Sequence, residues 1–450
     1  MPGFRAAPFL VLPLAAILAG CSVGSQIGST LGFGGGSNSV SSQSGGLAVG
    51  DEPFAVKTGT AILNQGGSAA DAATAMFFAM TATYPVAVGL GGGGICLVND
   101  PVKGVREYDF LPRAAKAGGN YAVPGAVRGF YDLQSAFGAL PWQRDVAGGE
   151  AYAATGFPIS HALSARLASA QNAVRLDAAL AAEFLNEAGN PRPEGTVVTN
   201  PALSQTLATV RLSGADGFYK GAVAEEMIRY SASQGGAISA ADLSVYRAVI
   251  AAPRLMNEGG FSVAVPNAGN GAGTFAASVF ANAARSTDPE GAVVAAVRQS
   301  LASFGISALP SDLGGAGFAA VDKNGQAVTC AMTLNGAFGA GHSAGNSGVL
   351  LASAPSTPAG IAGAFLTPAI ARDGGGRVSL AGVGAGGPNG TAAIAYTILK
   401  LASGQEIGRP ADLRSTGAAP MVTVNVISCQ NACVALPDPG GHGLGAATSQ

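Results

Sequence analysis

The stretch Gly315-Ala316-Gly317-Phe318-Ala319-Ala320-Val321-Asp322-Lys323-Asn324-Gly325-Gln326-Ala327-Val328-Thr329-Cys330-Ala331-Met332-Thr333-Leu334-Asn335 holds two apolar runs, Gly317–Val321 and Ala327–Leu334. Runs of this kind suit sheet strands that are buried on at least one face. Working outward, the chain alternates from Asp51 onward. An Ala-rich helical run covers Ser68 to Thr83, a glycine turn lies at Gly89–Gly94, and a strand Ile95–Val98 leads to Asp100. Length alone suggests two or three domains. No charged or Pro-rich linker marks a boundary, however, so residues 51–450 are expected to form one large layered unit.

Composition narrows the function classes. The 450 residues are 48% hydrophobic at a formal net charge of −2, which excludes disorder for most of the chain. Its 24 Lys+Arg against 26 Asp+Glu form no basic cluster, so nucleic acid is excluded as a partner. The 68 glycines supply turns with positive φ and let backbone pass close to backbone.

Residues 1–20 read as a secretory signal, with one cation at Arg5, an apolar stretch from Pro8 to Ala19 and small residues before Cys21. That stretch is too short to span a bilayer as a helix. Leu18-Ala19-Gly20-Cys21 resembles a bacterial lipobox, which implies acylation of Cys21 and a lipid bilayer as partner. Several acyl chains anchor durably where one does not. Ser22 after the Cys favours the outer membrane, facing the periplasm. The alternative is an ordinary secreted protein with an incidental Cys. Residues 21–50 carry no charge before Asp51 and are dominated by Gly and Ser, the composition of a flexible tether.

The other cysteines fit an oxidising compartment. Cys429 and Cys433 flank Gln-Asn-Ala between the strand-like Val422–Ile427 and Val434–Leu436, where a disulfide would clip a hairpin. Cys96 and Cys330 lie in apolar strand-like runs and are expected as buried, inert thiols. No Cys/His spacing matches a zinc site, and no metal or other cofactor is implied. Gly382-Val383-Gly384-Ala385-Gly386-Gly387 leaves a weak dinucleotide alternative, since Lys400 and Ser403 stand where a ribose-binding acid belongs.

An ordered series of motifs resembles the γ-glutamyltranspeptidase family. It begins with Leu63-Asn64-Gln65-Gly66-Gly67-Ser68-Ala69-Ala70-Asp71-Ala72-Ala73 and continues through Pro85, Gly89–Gly94 and Asp109-Phe110. Val123-Pro124-Gly125, Gly156-Phe157-Pro158, Gly217-Phe218-Tyr219-Lys220-Gly221 and Gly235-Gly236 follow. Phe318–Leu351 resembles the start of the family's small subunit, and Asp438-Pro439 with Gly443 its end. The resemblance implies an α+β fold, a four-layer αββα sandwich of the N-terminal-nucleophile hydrolase type. Residues 51–314 would be large-subunit-like and 315–450 small-subunit-like.

In that family a precursor cuts itself before a Thr, which becomes the nucleophile and supplies its own base through the new α-amino group. The resemblance places Gly315, Ala316 and Gly317 where the family has Thr-Thr-His, so Gly315 stands at the nucleophile position without a hydroxyl. The nearest upstream hydroxyl, Ser311, is four residues away, roughly 13 Å along an extended chain. By the same resemblance Thr333 and Asn335 are cleft residues, and Gly386-Gly387 are the oxyanion-hole pair. That pair would remain available to an oxyanion if Thr were restored at 315. The Arg that clamps substrate carboxylate falls at Leu111, with Arg113 as a substitute two residues on. Paired serines fall at Ala364 and Phe365, and the acid expected after Leu351 is missing from Ala352-Ser353-Ala354-Pro355-Ser356.

The expectation is therefore an envelope lipoprotein that neither self-cleaves nor transfers γ-glutamyl groups, with a binding or scaffolding role toward a small γ-glutamyl-like ligand or an envelope protein. The alternative is an active periplasmic hydrolase or transferase of glutathione-type amides, using a hydroxyl such as Ser311 or Thr333. Placement has its own test. Cys21→Ser protein should leave the membrane fraction, because no other segment reaches about 18 consecutive apolar residues; continued sedimentation with membranes would remove the lipobox reading.

Overall fold

The computed structural model describes residues 39–42, 45–267, 271–284, 286–411, 413, 422–440 and 442–449, besides Met1 and Gly3. Of the expected signal segment 1–20 only Met1 and Gly3 are described, and the expected lipidation site Cys21 lies outside the described residues. Two seven-stranded antiparallel sheets form the centre. One runs, in spatial order, β1 (Val40–Ser42), β17 (Cys433–Leu436), β16 (Thr423–Cys429), β15 (Val378–Ala385), β14 (Thr367–Arg372), β11 (Phe261–Val265) and β10 (Arg254–Glu258). The other runs β18 (Leu444–Ala447), β2 (Leu47–Gly50), β12 (Gly315–Val321), β13 (Ala327–Thr333), β3 (Gly93–Asp100), β4 (Gly104–Asp109) and β9 (Val249–Ala251). Two small ladders, β5 (Arg113–Ala114) with β6 (Ala122–Val123) and β7 (Phe157–Pro158) with β8 (Val197–Val198), lie apart from them.

Side-chain alternation along β12 shows why both apolar runs are buried throughout. Successive residues of a strand point to opposite faces. Ala316, Phe318 and Ala320 join a core with Met76, Phe77 and Phe130 of the helices Ala69–Thr83 and Ala126–Phe137. Ala319 and Val321 face the other way, against Ala381 and Ile427 of the opposing sheet. The helices Ala272–Ala283, Pro289–Ser303 and Pro388–Ala402 cover the far sheet, packing Phe275, Val293 and Ile394 in one core with Val426 of β16. The result is an αββα sandwich. Gly317 is needed because the sheets come close: a Cβ there would stand 2.7 Å from Cγ1 of Val383.

The fold begins earlier than Asp51. β1 and β2 place part of the expected 21–50 tether in the sheets, and Leu47, Ala48 and Val49 are fully buried. A three-residue apolar run inside Gly/Ser-rich sequence was enough to pair with Phe318–Val321. Cysteine pairing also differs. Cys96 and Cys330 are not free thiols: β3 and β13 set them directly opposite one another, and they form a buried disulfide. It closes a separation of 234 residues, a constraint of about 5 kcal/mol in the chain-entropy model. Cys429 and Cys433 are joined across the β16–β17 hairpin, as the spacing suggested.

The helix Ala69–Thr83 is buried on every side, as its all-round Ala, Met and Phe composition requires. A capping box of Ser68 and Asp71 starts it. Asp71 also accepts hydrogen bonds from Gln134 Nε2 at 3.1 Å and from Ala139 N at 2.7 Å. Beside it lies Asp145, fully buried on the helix Trp142–Thr155. Burial, then the charge of Asp71, holds the Asp145 carboxyl far above the ordinary carboxylate range. The folded protein thus keeps a proton that the unfolded chain releases near pH 4, so this group's contribution falls as pH rises. Asp145→Asn, which keeps a donor toward Asp71, should gain on the parent protein by about 1.4 kcal/mol per pH unit between pH 5 and 8 in urea titrations. A difference independent of pH would show that Asp145 is ionised in the fold.

Candidate active site

Gly315 opens β12 and lies opposite Thr333 of β13, which in turn lies opposite Gly93 of β3. Like Gly317, it faces the second sheet. A Cβ on Gly315 would stand 2.6 Å from the nitrogen of Gly386 and 3.0 Å from its Cα. The structure therefore brings the expected nucleophile position and the first glycine of the expected oxyanion pair together, and leaves no room for a side chain between them. Gly386 and Gly387 carry φ of 82° and 146° and lead into the helix Pro388–Ala402.

Thr333 and Asn335 are also at this place, both buried and occupied by internal bonds. Thr333 Oγ1 donates to the Leu313 carbonyl at 3.4 Å and accepts from Asn335 N at 2.8 Å. Asn335 Nδ2 donates to the Ser353 carbonyl at 2.9 Å. The carbonyl that self-cleavage before residue 315 would attack is that of Gly314, and it accepts from Leu334 N at 3.3 Å. Arg113 takes another direction: its guanidinium stacks 4.7 Å from the centroid of Tyr246. Leu111 packs in an apolar cluster with Leu366, Val383 and Ala385 between the sheets. Phe365 is buried edge-on against Phe275 at 4.9 Å. Apolar side chains fill the two expected clamp positions. Ser311 is exposed, ahead of β12.

Two charged features here escaped the sequence reading. Arg166, on the helix His161–Val174, is fully buried and grips Asp312 with both ends of its guanidinium: Nε at 3.1 Å from Oδ2 and Nη2 at 2.5 Å from Oδ1. Its Nη1 donates to the Gly315 carbonyl at 3.1 Å. A signal existed, because Arg166 falls on the stripe of Ala162, Leu163, Leu167, Ala170 and Val174 that the helix buries. The second feature is Asp51, which accepts from Gly317 N and from Asn425 Nδ2, both at 2.7 Å, and so ties β12 to β16 across the sheets. Burial, with the charge of Asp438 beside it, raises the Asp51 carboxyl to about 6. Neither pairing has a local sequence signature.

Among the described residues no cluster of His, Cys, Asp and Glu is arranged to hold a metal ion. A separate cleft of about 340 Å³ is lined by residues including Leu180, Glu183, Asn200, Leu203, Ser343 and Leu350, and by none of positions 315, 333, 335, 386 or 387. In it, burial raises the Glu183 carboxyl to about 8, and Asn200 Nδ2 donates to that carboxyl at 3.1 Å.

The layers and strand order define an N-terminal-nucleophile hydrolase fold. Cephalosporin acylase from Bacillus halodurans superposes with a TM-score of 0.74 over 92% of this chain and 97% of the acylase, at 16% identity. The γ-glutamyltranspeptidase of Helicobacter pylori gives 0.50 over 57% of this chain and 82% of that one, at 22% identity. Residues 55–291, more than half of the chain, match the family described as Gamma-glutamyltranspeptidase. The chain belongs to the γ-glutamyltranspeptidase family. Human glutathione hydrolase 7 is 30% identical over 224 residues, 46% of this chain and 34% of its own. The glutathione hydrolase proenzyme of Escherichia coli K12 is 29% identical over 229 residues, 46% of this chain and 40% of its own. The chain thus spans about a third to two fifths of the length of the curated relatives it matches. Position 315 and the glycine pair lie beyond the family match.

A Thr restored at 315 would have to displace the backbone of Gly386, the first glycine of the expected oxyanion pair. Gly315→Thr should remain uncleaved and lose about 1–3 kcal/mol in urea unfolding, because its Cβ overlaps the Gly386 backbone. Unchanged stability, or two fragments on a denaturing gel, would show that the site opens.

Proposed function

We propose that this chain is a γ-glutamyltranspeptidase-family protein that neither cleaves itself nor transfers γ-glutamyl groups, and that it serves the bacterial envelope in a binding or scaffolding role, lipid-anchored through Cys21. One observation carries the reading: position 315 offers only hydrogen, and the backbone of Gly386 occupies the space where a side chain would extend. Losing the nucleophile of a hydrolase costs about 10⁶ in rate on another scaffold. Without a hydroxyl here there is also no self-cleavage and no new α-amino group. Leu111 and Phe365 at the clamp positions support the same reading, since a substrate carboxylate would meet apolar side chains. Substrate positioning can account for ~7–11 kcal/mol of a barrier.

A ligand site, if this chain binds a small molecule, is better provided by the cleft at Glu183. Its walls of Leu180, Leu203 and Leu350 suit an aliphatic body, and Glu183 with Asn200 supplies hydrogen bonds. The active-enzyme alternative draws little support. Thr333 Oγ1 is committed to Leu313 and Asn335 and lies within the chain, without a free α-amino group for a base.

The test is turnover of a γ-glutamyl anilide by the purified protein. No release above buffer is expected, with or without an acceptor dipeptide. Release that disappears in Ser311→Ala would overturn the proposal and establish a non-standard nucleophile.

A further inference from the structure

Both sheets end on the same side of the molecule. β9 closes one and β10 the other, with only Ala252-Pro253 between them, and among the described residues no strand pairs with the outer edge of β10. An open edge strand is a template for another chain. Leu255 on this strand is 56% exposed, and beside it Val249 and Ile250 of β9, the edge of the other sheet, are 50% and 51% exposed.

We propose that the chain forms a twofold dimer in which β10 of one copy pairs antiparallel with β10 of a second copy about Met256, joining the two far sheets into one. The partner is identified by the strand's own sequence, Arg254-Leu255-Met256-Asn257-Glu258. In that register Arg254 of each copy lies opposite Glu258 of the other, on one face and on both sides of the axis. Shifting the register by two residues in either direction, the smallest step that keeps Leu255 and Asn257 hydrogen-bonding across the edge, sets a charge opposite Met256 instead. Neither Arg254 nor Glu258 has an ion-pair partner among the described residues, and burial already holds the Glu258 carboxyl above its ordinary range.

Backbone geometry agrees. Glu258 and Phe261 close a hairpin over the two-residue loop Gly259-Gly260, both at positive φ. The closing pair of such a hairpin exchanges both hydrogen bonds, so alternation turns the N–H and C=O of Leu255 and Asn257 to the open edge. Those are the residues that face each other across an axis at Met256. Pro253 and Gly259 bound the pairing at each end.

Sedimentation equilibrium of the full chain in density-matched detergent should give the mass of two copies at micromolar concentration. Arg254→Glu should weaken association roughly tenfold, since two attractions become repulsions. Arg254→Glu combined with Glu258→Arg should restore it. Asn257→Pro removes an edge-facing N–H without touching the internal ladder and should leave single copies. Met256→Cys should cross-link the copies on oxidation, because residues at the axis come within about 4.5 Å. A single-copy mass for the parent protein, or a dimer indifferent to Arg254→Glu and Asn257→Pro, would overturn the proposal.

Discussion

The two sheets meet backbone to backbone at Gly315 and Gly386, and the character of the whole site follows from that approach. On β12 the residues that face the second sheet are Gly315, Gly317, Ala319 and Val321, growing in size with distance from the site. Where the resemblance leads one to expect a side chain that both projects and reacts, this chain places backbone against backbone. A side chain on Gly315 would have to push that backbone aside.

Charge is nevertheless concentrated around this contact. Arg166 is buried between Asp312 and the Gly315 carbonyl, and Asp51 reaches Asn425 across the sheets. Removing one partner of a buried pair leaves an uncompensated charge, which is strongly destabilising. These pairs fix the start of β12 against the helix His161–Val174 and against β16. In an enzyme such rigidity would hold a nucleophile in line. Here it holds a glycine.

Much of this was legible in the sequence, and the exceptions share a cause. The motif series led to the family and fold, and the apolar runs around Asp322 appear as β12 and β13. What could not be read was register. The Cys96–Cys330 bridge needs β3 and β13 aligned residue for residue, and the Arg166–Asp312 pair joins residues far apart in the chain. β2 was missed because Leu47-Ala48-Val49 sits among glycines and serines that read as tether. The closure at Gly315 was also beyond sequence, since an absent hydroxyl says nothing about whether its space remains open.

The account rests on the chain staying whole at Gly315, and intact mass of the protein purified from its own envelope, under denaturing and reducing conditions, tests this most directly. It predicts one polypeptide that runs unbroken through Gly315, with no fragment beginning at or near that residue. Two fragments meeting between Ser311 and Gly315 would contradict it.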